Sequence, residues 1–267
     1  TDTVLTTQQE AQASLTGDWF DLPGGKLGWA VGFGYGNTDF EYQPDSAKQQ
    51  DAVTGNTGAG TKGSLVSNSV FGEVLAPLYD NGTQSLDMRA SVRWDDYDAF
   101  DAETTYAFGV EFSVMKDLKL RATYGTVFRV PTINNLFGGI VDSFPTYTDP
   151  CIPTAAAPLL APGCAQVGIQ TDIQLLAKVG GNPLLQPETG DTLTAGVVWS
   201  PQLGNGDLSV TVDYWQIAIQ DGISSLGVQF ILDDCYINQN SASCALVFRN
   251  PDYSIDHVND GSLNVSD

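Results

Sequence analysis

The sequence has no run of about 18 apolar residues, so it offers no helix fit to cross a bilayer. That absence leaves barrel strands open, because they carry a much weaker hydropathy signal. Histidine is almost missing. His257 is the only one, which leaves no His-based ligand set for zinc. Positive charge is scarce: 11 Lys and Arg stand against 32 Asp and Glu, for a net charge of −21. Such a chain repels phosphates, which sets nucleic-acid binding aside. Charged residues make up only 16% of the chain, fewer than a helical bundle carries. The opening residues, TDTVLTTQQE, hold no secretory signal. A membrane reading therefore expects the true N-terminus to lie outside this chain.

What is present suits β-structure. Glycine is abundant at 28 residues, and aromatics reach 10%. Acids gather in connector-like stretches, as in Asp95, Asp96, Asp98, Asp101 and Glu103. The four cysteines form two local pairs, Cys151 with Cys164 and Cys235 with Cys244. Four cysteines allow three pairings, of which the local one is simplest. Disulfides there would suit a periplasmic or surface location, whereas four free thiols would suit a reducing compartment.

Apolar residues alternate with polar or small ones over several segments. Leu27, Trp29, Val31, Phe33 and Tyr35 alternate with glycines and Ala30. Leu86, Met88, Ala90, Val92 and Trp94 alternate with Asp87, Arg89, Ser91 and Arg93. Tyr106, Phe108, Val110 and Phe112 repeat the pattern, as do segments 118–128, 189–199 and 208–214. A less regular run covers 64–76, and 14–22 adds a further strand. Period two puts each apolar set on one strand face. After Tyr214 the parity slips to Trp215, Ile217 and Ile219, which predicts a β-bulge. The connectors are asymmetric. Short turns at 77–84, 115–117 and 201–206 fall on one side of a meander, and long loops near 36–63, 130–188 and 220–250 fall on the other. Outer-membrane barrels have short periplasmic turns and long extracellular loops. Alternation alone is equally compatible with a soluble sandwich.

Three segments carry a more specific pattern: LRATYGTVFRVPTINNLFGG at 120–139, GGNPLLQPETGDTLTAGVVWSP at 180–201 and LSVTVDYWQIAIQDGISSLG at 208–227. The first holds an FRxP corner of Phe128, Arg129 and Pro131. The second holds an NPxLxPE element of Asn182, Pro183, Leu185, Pro187 and Glu188. The third holds VDYW, with Asp213, Tyr214 and Trp215. In this order the three resemble the C-terminal barrel region of TonB-dependent outer-membrane receptors. Physically, Pro131 removes a ladder N–H and biases Val130 to an extended shape, so pairing can stop there. Arg129 can pair with loop carboxylates, or stand as a solvated rim charge.

The resemblance implies an all-β antiparallel meander, 1–267, forming part of a large transmembrane barrel with long extracellular loops. It implies an outer-membrane receptor that takes up a bulky, scarce ligand such as a siderophore, vitamin or oligosaccharide, and no enzyme or cofactor. Its partners would be outer-membrane lipid, a plug domain and the TonB energy-coupling complex. No plug, coupling segment or final strands are recognised, so the chain is expected to be a piece of a longer barrel. The alternatives are a plugless porin-like channel and a secreted soluble β-domain that binds carbohydrate.

Asp87, Arg89, Arg93, Glu111, Lys119 and Arg121 share the polar parity of their strands. In a barrel they face the lumen, toward a plug or substrate path; more plainly, they balance one another as cross-strand pairs. Tyr35, Trp94 and Trp199 lie on the apolar parity near strand ends, where interfacial aromatics belong. Gly58, Gly60 and Gly63 match a dinucleotide-binding spacing but lack the strand–helix context, so the segment reads as a surface loop. Ser113 and Lys116 match S-x-x-K without its companion motifs. The acids from Asp95 to Glu103 read as a solvated loop rather than a cation site.

Overall fold

The computed structural model describes residues 1–50, 52, 58–153, 159–170, 173–204 and 206–265. The chain opens with β1 (Thr3–Leu22), β2 (Gly25–Gln43), a single helical turn α1 (Ser46–Gln49), β3 (Thr61–Asp80), β4 (Ser85–Tyr97), β5 (Glu103–Met115) and β6 (Leu118–Arg129). It leaves the sheet through α2 (Ile133–Phe137), β7 (Val141–Ser143) and β8 (Ala177–Val179), and re-enters as β9 (Glu188–Trp199). A small hairpin, β10 (Gln202–Leu203) and β11 (Gly206–Asp207), leads to β12 (Val210–Gln220). The rest is β13 (Gly222–Ser224), α3 (Val228–Tyr236), α4 (Ser241–Cys244), β14 (Val247–Arg249), β15 (Ile255–Asn259) and β16 (Leu263–Val265).

Eight strands form one antiparallel meander in the order β1-β2-β3-β4-β5-β6-β9-β12. Among the described residues the sheet is open, with β1 and β12 as its edges. Directly opposed residues share a face, so the register fixes the two surfaces. One face carries Trp29, Val74, Ala90, Phe108, Tyr124 and Leu193 in a single row, with apolar rows on either side. These side chains are not covered by protein: Phe108, Val92, Val70 and Phe33 are each about half exposed. A soluble sandwich would bury that face. On β4 the apolar set Leu86 to Trp94 covers about 27 Å of strand. At a tilt of ~40° that spans roughly 21 Å of depth, close to the height of the apolar band of an outer-membrane barrel. The sheet is therefore the open wall of a partial transmembrane barrel.

The tightest connections of the eight-stranded sheet lie at one end: Pro23–Gly24, 81–84, Lys116–Asp117 and the β10–β11 hairpin. Gly82 and Gly204 sit there at φ of 82° and 59°, where a side chain would be strained. The register shifts at Asp18/Asp21, Pro77/Tyr79 and Ser113/Met115 lie at this end as well.

Three sequence expectations are corrected. The β12–β9 register runs without a shift from Val210↔Trp199 to Gln220↔Thr189, so no bulge lies at Trp215. The apolar residues simply change face: Val212 and Tyr214 lie on the outer face, Trp215, Ile217 and Ile219 on the inner. Within the loop expected at 36–63, β2 runs on to Gln43 and β3 already begins at Thr61. Outer-parity Asn37, Asp39 and Glu41 are polar while Phe40 and Tyr42 lie on the inner parity and are half-buried, so the alternation continues here with its polarity reversed. β1 likewise begins at Thr3 rather than near residue 14.

The loops expected near 130–188 and 220–250 are long connectors, and their described residues fold together into a cap. β14, β15, β8 and β7 form a four-stranded sheet, with β15 and β8 parallel. Tyr147, Cys151, Ala177, Val228, Ile231, Leu232, Cys235, Tyr236, Ile255 and Val258 form its buried core. Disulfides join Cys151 to Cys164 and Cys235 to Cys244. Asp234 accepts from Ser243 Oγ at 2.6 Å and from Asn238 Nδ2 at 3.0 Å, which holds its carboxyl below the usual carboxylate range. A second core of Phe100, Leu136 and Leu185 seats the cap on the strand ends. Replacing Cys151 and Cys164 together by serine frees a 13-residue loop closure. The expected cost to the cap is about 3 kcal/mol. Denaturation followed by near-UV circular dichroism of the cap tyrosines would read this as an earlier cap transition with the sheet transition unmoved.

Candidate functional site

Two features point to function: the polar face of the wall, and the junction where cap meets wall. The polar face is opposite the apolar one and carries Glu73, Arg89, Glu111, Lys119, Arg121 and Asp213. Arg89 pairs with Glu73 at 3.1 Å and Lys119 with Glu111 at 2.9 Å. Arg121 grips Asp213 with two contacts from Nη2, at 2.9 and 3.0 Å. These two residues sit on β6 and β12, with β9 between them. The row runs Arg121↔Gly196↔Asp213, so the pair closes over the bare backbone of Gly196. A Cβ on Gly196 would lie 2.0 Å from Asp213 Oδ1 and 3.1 Å from Arg121 Nε. Gly196→Leu is therefore expected to break the pair and to destabilise the wall by about 1–3 kcal/mol. A lowered denaturation midpoint with unchanged cap signals would show it.

The remaining members of the sequence-predicted set behave differently. Arg93 pairs along its own strand with Asp95 at 2.8 Å and lies over the Phe71 ring at 5.8 Å. Phe71 in turn covers Gly32, whose Cβ would fall 2.2 Å from the ring. Asp87 stands directly opposite Glu111, a like-charge neighbour. Together Asp87, Arg89, Glu111, Arg121, Asp213 and Trp215 line a concavity of about 750 Å³. Trp215, Ile217 and Ile219 put an apolar stripe at the edge of this face, which also carries Phe71 and Leu75, and the parity slip signals that stripe in the sequence.

The motif residues meet at the junction. Arg129, at the end of β6, pairs with Glu188, at the start of β9. Glu188 Oε1 also accepts Arg129 Nη2 at 2.6 Å and the Ile223 N–H at 2.6 Å, which ties β13 to the same point. Thr132 and Asn135 form a reciprocal cap at the N-terminus of α2. Pro131 and Leu185 are fully buried. Asn182 Oδ1 accepts the Leu184 N–H at 3.0 Å, and its Nδ2 donates to Ser262 O at 3.1 Å. The chain thus leaves and re-enters the sheet through one hydrogen-bonded knot. Pro183 and Pro187 flank Leu185 within it. Of the third motif, Asp213 and Trp215 face inward and Tyr214 outward.

Elsewhere, Tyr35 and Trp94 lie on the outer face toward the cap end, and Trp199 lies on it toward the turn end. Asp95 is not part of a solvated loop: it is buried against Arg93. Asp98 accepts the Val66 N–H at 3.0 Å. Among the described residues, no group of three or more His, Cys, Asp or Glu is placed to hold a metal ion. Ser113 and Lys116 straddle the end of β5 and its turn. His257 stacks on Phe248 at 4.4 Å and bonds Asp256 at 2.7 Å.

Sequence reasoning missed the cap's polar centre. Asp149 is fully buried and held by Arg249 through two contacts at 2.7 and 2.8 Å. The guanidinium lies between the Tyr236 and Tyr253 rings, 4.7 and 4.4 Å from their centroids. Burial opposes its charge, but the bonds to Asp149 and Tyr236 outweigh burial and raise its pKa. One signal was present: Arg249 is the only arginine after Arg129.

The comparisons agree with this architecture. The family described as "TonB dependent receptor-like, beta-barrel" matches residues 1–251. The fold matches the ferric enterobactin receptor PfeA of Pseudomonas aeruginosa at a TM-score of 0.63 and 14% identity, covering 98% of this chain and 32% of that one. It matches the siderophore receptor PirA of Pseudomonas aeruginosa at 0.59 and 12%, covering 98% and 38%. A Serratia marcescens hemophore receptor, HasR, in complex with its hemophore and heme, matches at 0.56 and 15%, again covering 98% and 38%. The chain spans about a third of the length of these proteins. Among curated proteins none matches. No helix among the described residues is long and apolar enough to cross a membrane, which says nothing about spanning by strands.

Proposed function

The chain belongs to the TonB-dependent receptor β-barrel family, and on that premise we propose that it forms part of the wall and mouth of an outer-membrane receptor for energised uptake of a bulky, scarce ligand. The strongest support is the cap, built from the two longest connectors, stapled by two disulfides and seated at the end away from the tight turns. A permanently folded cap offers a shaped surface for capture, which a simple diffusion channel does not need. The paired charges of the inner face would then line the lumen, against a plug domain or along the ligand's path. Plug, TonB complex and outer-membrane lipid are the partners this function requires. The named neighbours, receptors for ferric enterobactin, siderophore and hemophore, favour an iron chelate or haem as cargo over a vitamin or oligosaccharide.

The test is uptake by the full-length parent in a Gram-negative host that lacks its own receptors for the cargo. Iron-starved cells supplied with labelled siderophores and haem are expected to accumulate one of them, and to stop when TonB is deleted. Uptake that persists without TonB would point to a passive channel. A full-length product that stays soluble without detergent would remove the membrane reading altogether.

A further inference from the structure

We infer that a trough on the outer face of the wall, running across β2 to β5, binds an acyl chain of a phospholipid from the periplasmic leaflet. The trough holds about 610 Å³, the size of a small-molecule site. Its floor is low because Gly72 and Ala90 stand where their direct cross-strand neighbours, Val92 and Val74, carry branched side chains. Trp19 and Trp29 rise on one side of it, Tyr106 and Phe108 on the other. The notch at Gly72 is open: a Cβ there would meet only Ala30 O, at 3.9 Å. Gly17, on the same face, is different. It is already covered by the Trp29 ring, which a Cβ would approach to 2.9 Å.

The occupant follows from the medium. The trough is continuous with the apolar rows that face hydrocarbon, and Val31, Val92 and Phe108 within it are each about half exposed. Against a flat wall a lipid chain touches protein on one side only. In a trough it gains contacts on three sides, and dispersion attraction grows with each. The leaflet follows from depth. Trp29 lies four residues from Gly25, and Ala90 five from Ser85, both at the turn end. With the strands tilted ~40°, that places them roughly 10–13 Å from this end, which is the periplasmic side of such a barrel. Trp19 stands beside the first turn and is two-thirds exposed, as an indole at the interface is. Trp94, next after Val92 on the same face of β4, stands at the cap end of the trough. The chain therefore enters from the turn side. The site belongs to the wall alone, so it goes beyond the uptake reading and does not depend on the cargo.

Native mass spectrometry of the full-length protein tests this, after reconstitution with palmitoyl-oleoyl phosphatidylethanolamine and lipopolysaccharide and extraction into mild detergent. One phospholipid retained per receptor is the expected result. Gly72→Leu and Ala90→Leu fill the trough and should each lower the retained fraction about tenfold. Phe108→Ala removes a wall without filling the floor and should lower it as well, so the result does not hang on the folding of one variant. Ala122→Leu, on the same face but outside the trough, should leave retention unchanged. A parent that retains no lipid, equal retention in Ala90→Leu, or equal loss in Ala122→Leu overturns the inference. So does retention of lipopolysaccharide in place of phospholipid, which would put the occupant in the other leaflet. A dimer that Ala90→Leu dissociates would make a second copy the occupant and overturn it too. Uptake without TonB would remove the receptor reading and leave this site standing, because the wall of a passive channel meets the same lipid.

Discussion

Arg249→Ala is expected to destabilise the cap by about 3–5 kcal/mol, because it leaves the buried Asp149 carboxyl without its cation, holding only the Cys151 N–H at 2.9 Å. The carboxylate has no exposure to water, and the guanidinium is its only cationic partner among the described residues. The same substitution strips the packing between Tyr236 and Tyr253 and the bond from Arg249 Nη1 to Tyr253 O at 2.6 Å. Asp149→Asn should cost less, since an amide oxygen can still accept from the guanidinium, although Arg249 then keeps an unbalanced charge. The two variants and their combination form a cycle, and a coupling of more than ~1 kcal/mol would separate a direct pair from two independent losses. Denaturation of the full-length protein, followed by near-UV circular dichroism, should show the cap transition moving and the sheet transition holding. A cap midpoint within ~0.5 kcal/mol of the parent would show that the pair adds nothing to the cap.

The wall was legible in the sequence wherever two different media meet it. Leu86, Met88, Ala90, Val92 and Trp94 alternate with charged and small residues because one side faces hydrocarbon and the other polar surroundings. The pattern stops matching that of the rest of the wall at 37–43, where Asn37, Asp39 and Glu41 take the outer parity and Phe40 and Tyr42 the inner, and at 3–13, where most residues of both parities are polar or small. There the register, not the composition, defines the strand. The slip at Trp215 follows the same logic. A change of parity can mean an extra residue or a change in what each face meets, and composition does not separate the two.

The cap was hidden for another reason. Its core joins Tyr147 and Cys151 to Val228, Leu232 and Val258, residues about a hundred positions apart. No local periodicity reports such contacts. One piece was nonetheless written locally: Val228, Ile231, Leu232, Cys235 and Tyr236 recur at helical spacing and form the buried side of α3. The FRxP and NPxLxPE elements were legible as motifs, but the physical link between them, Arg129 to Glu188 and on to Ile223, required the fold.

The second large effect tests which side of the wall meets lipid. Phe108 lies mid-strand on the outer face, between Ala90 and Tyr124. Phe108→Arg in the full-length protein, folded into bilayers, is expected to cost about 2–4 kcal/mol beyond the loss seen in Phe108→Ala, because a guanidinium is driven into hydrocarbon. Ser91 lies on the other face, directly opposite Glu73. Ser91→Arg should stay within ~0.5 kcal/mol of the parent, since its charge meets a carboxylate in polar surroundings. Urea titration in lipid vesicles reads both variants on one scale. Equal penalties would mean that both faces meet the same medium, as in a soluble sheet. A larger penalty for Ser91→Arg would turn the wall inside out and put the paired charges of Arg121 and Asp213 in lipid, where each would have to bear the desolvation cost that the observed arrangement avoids.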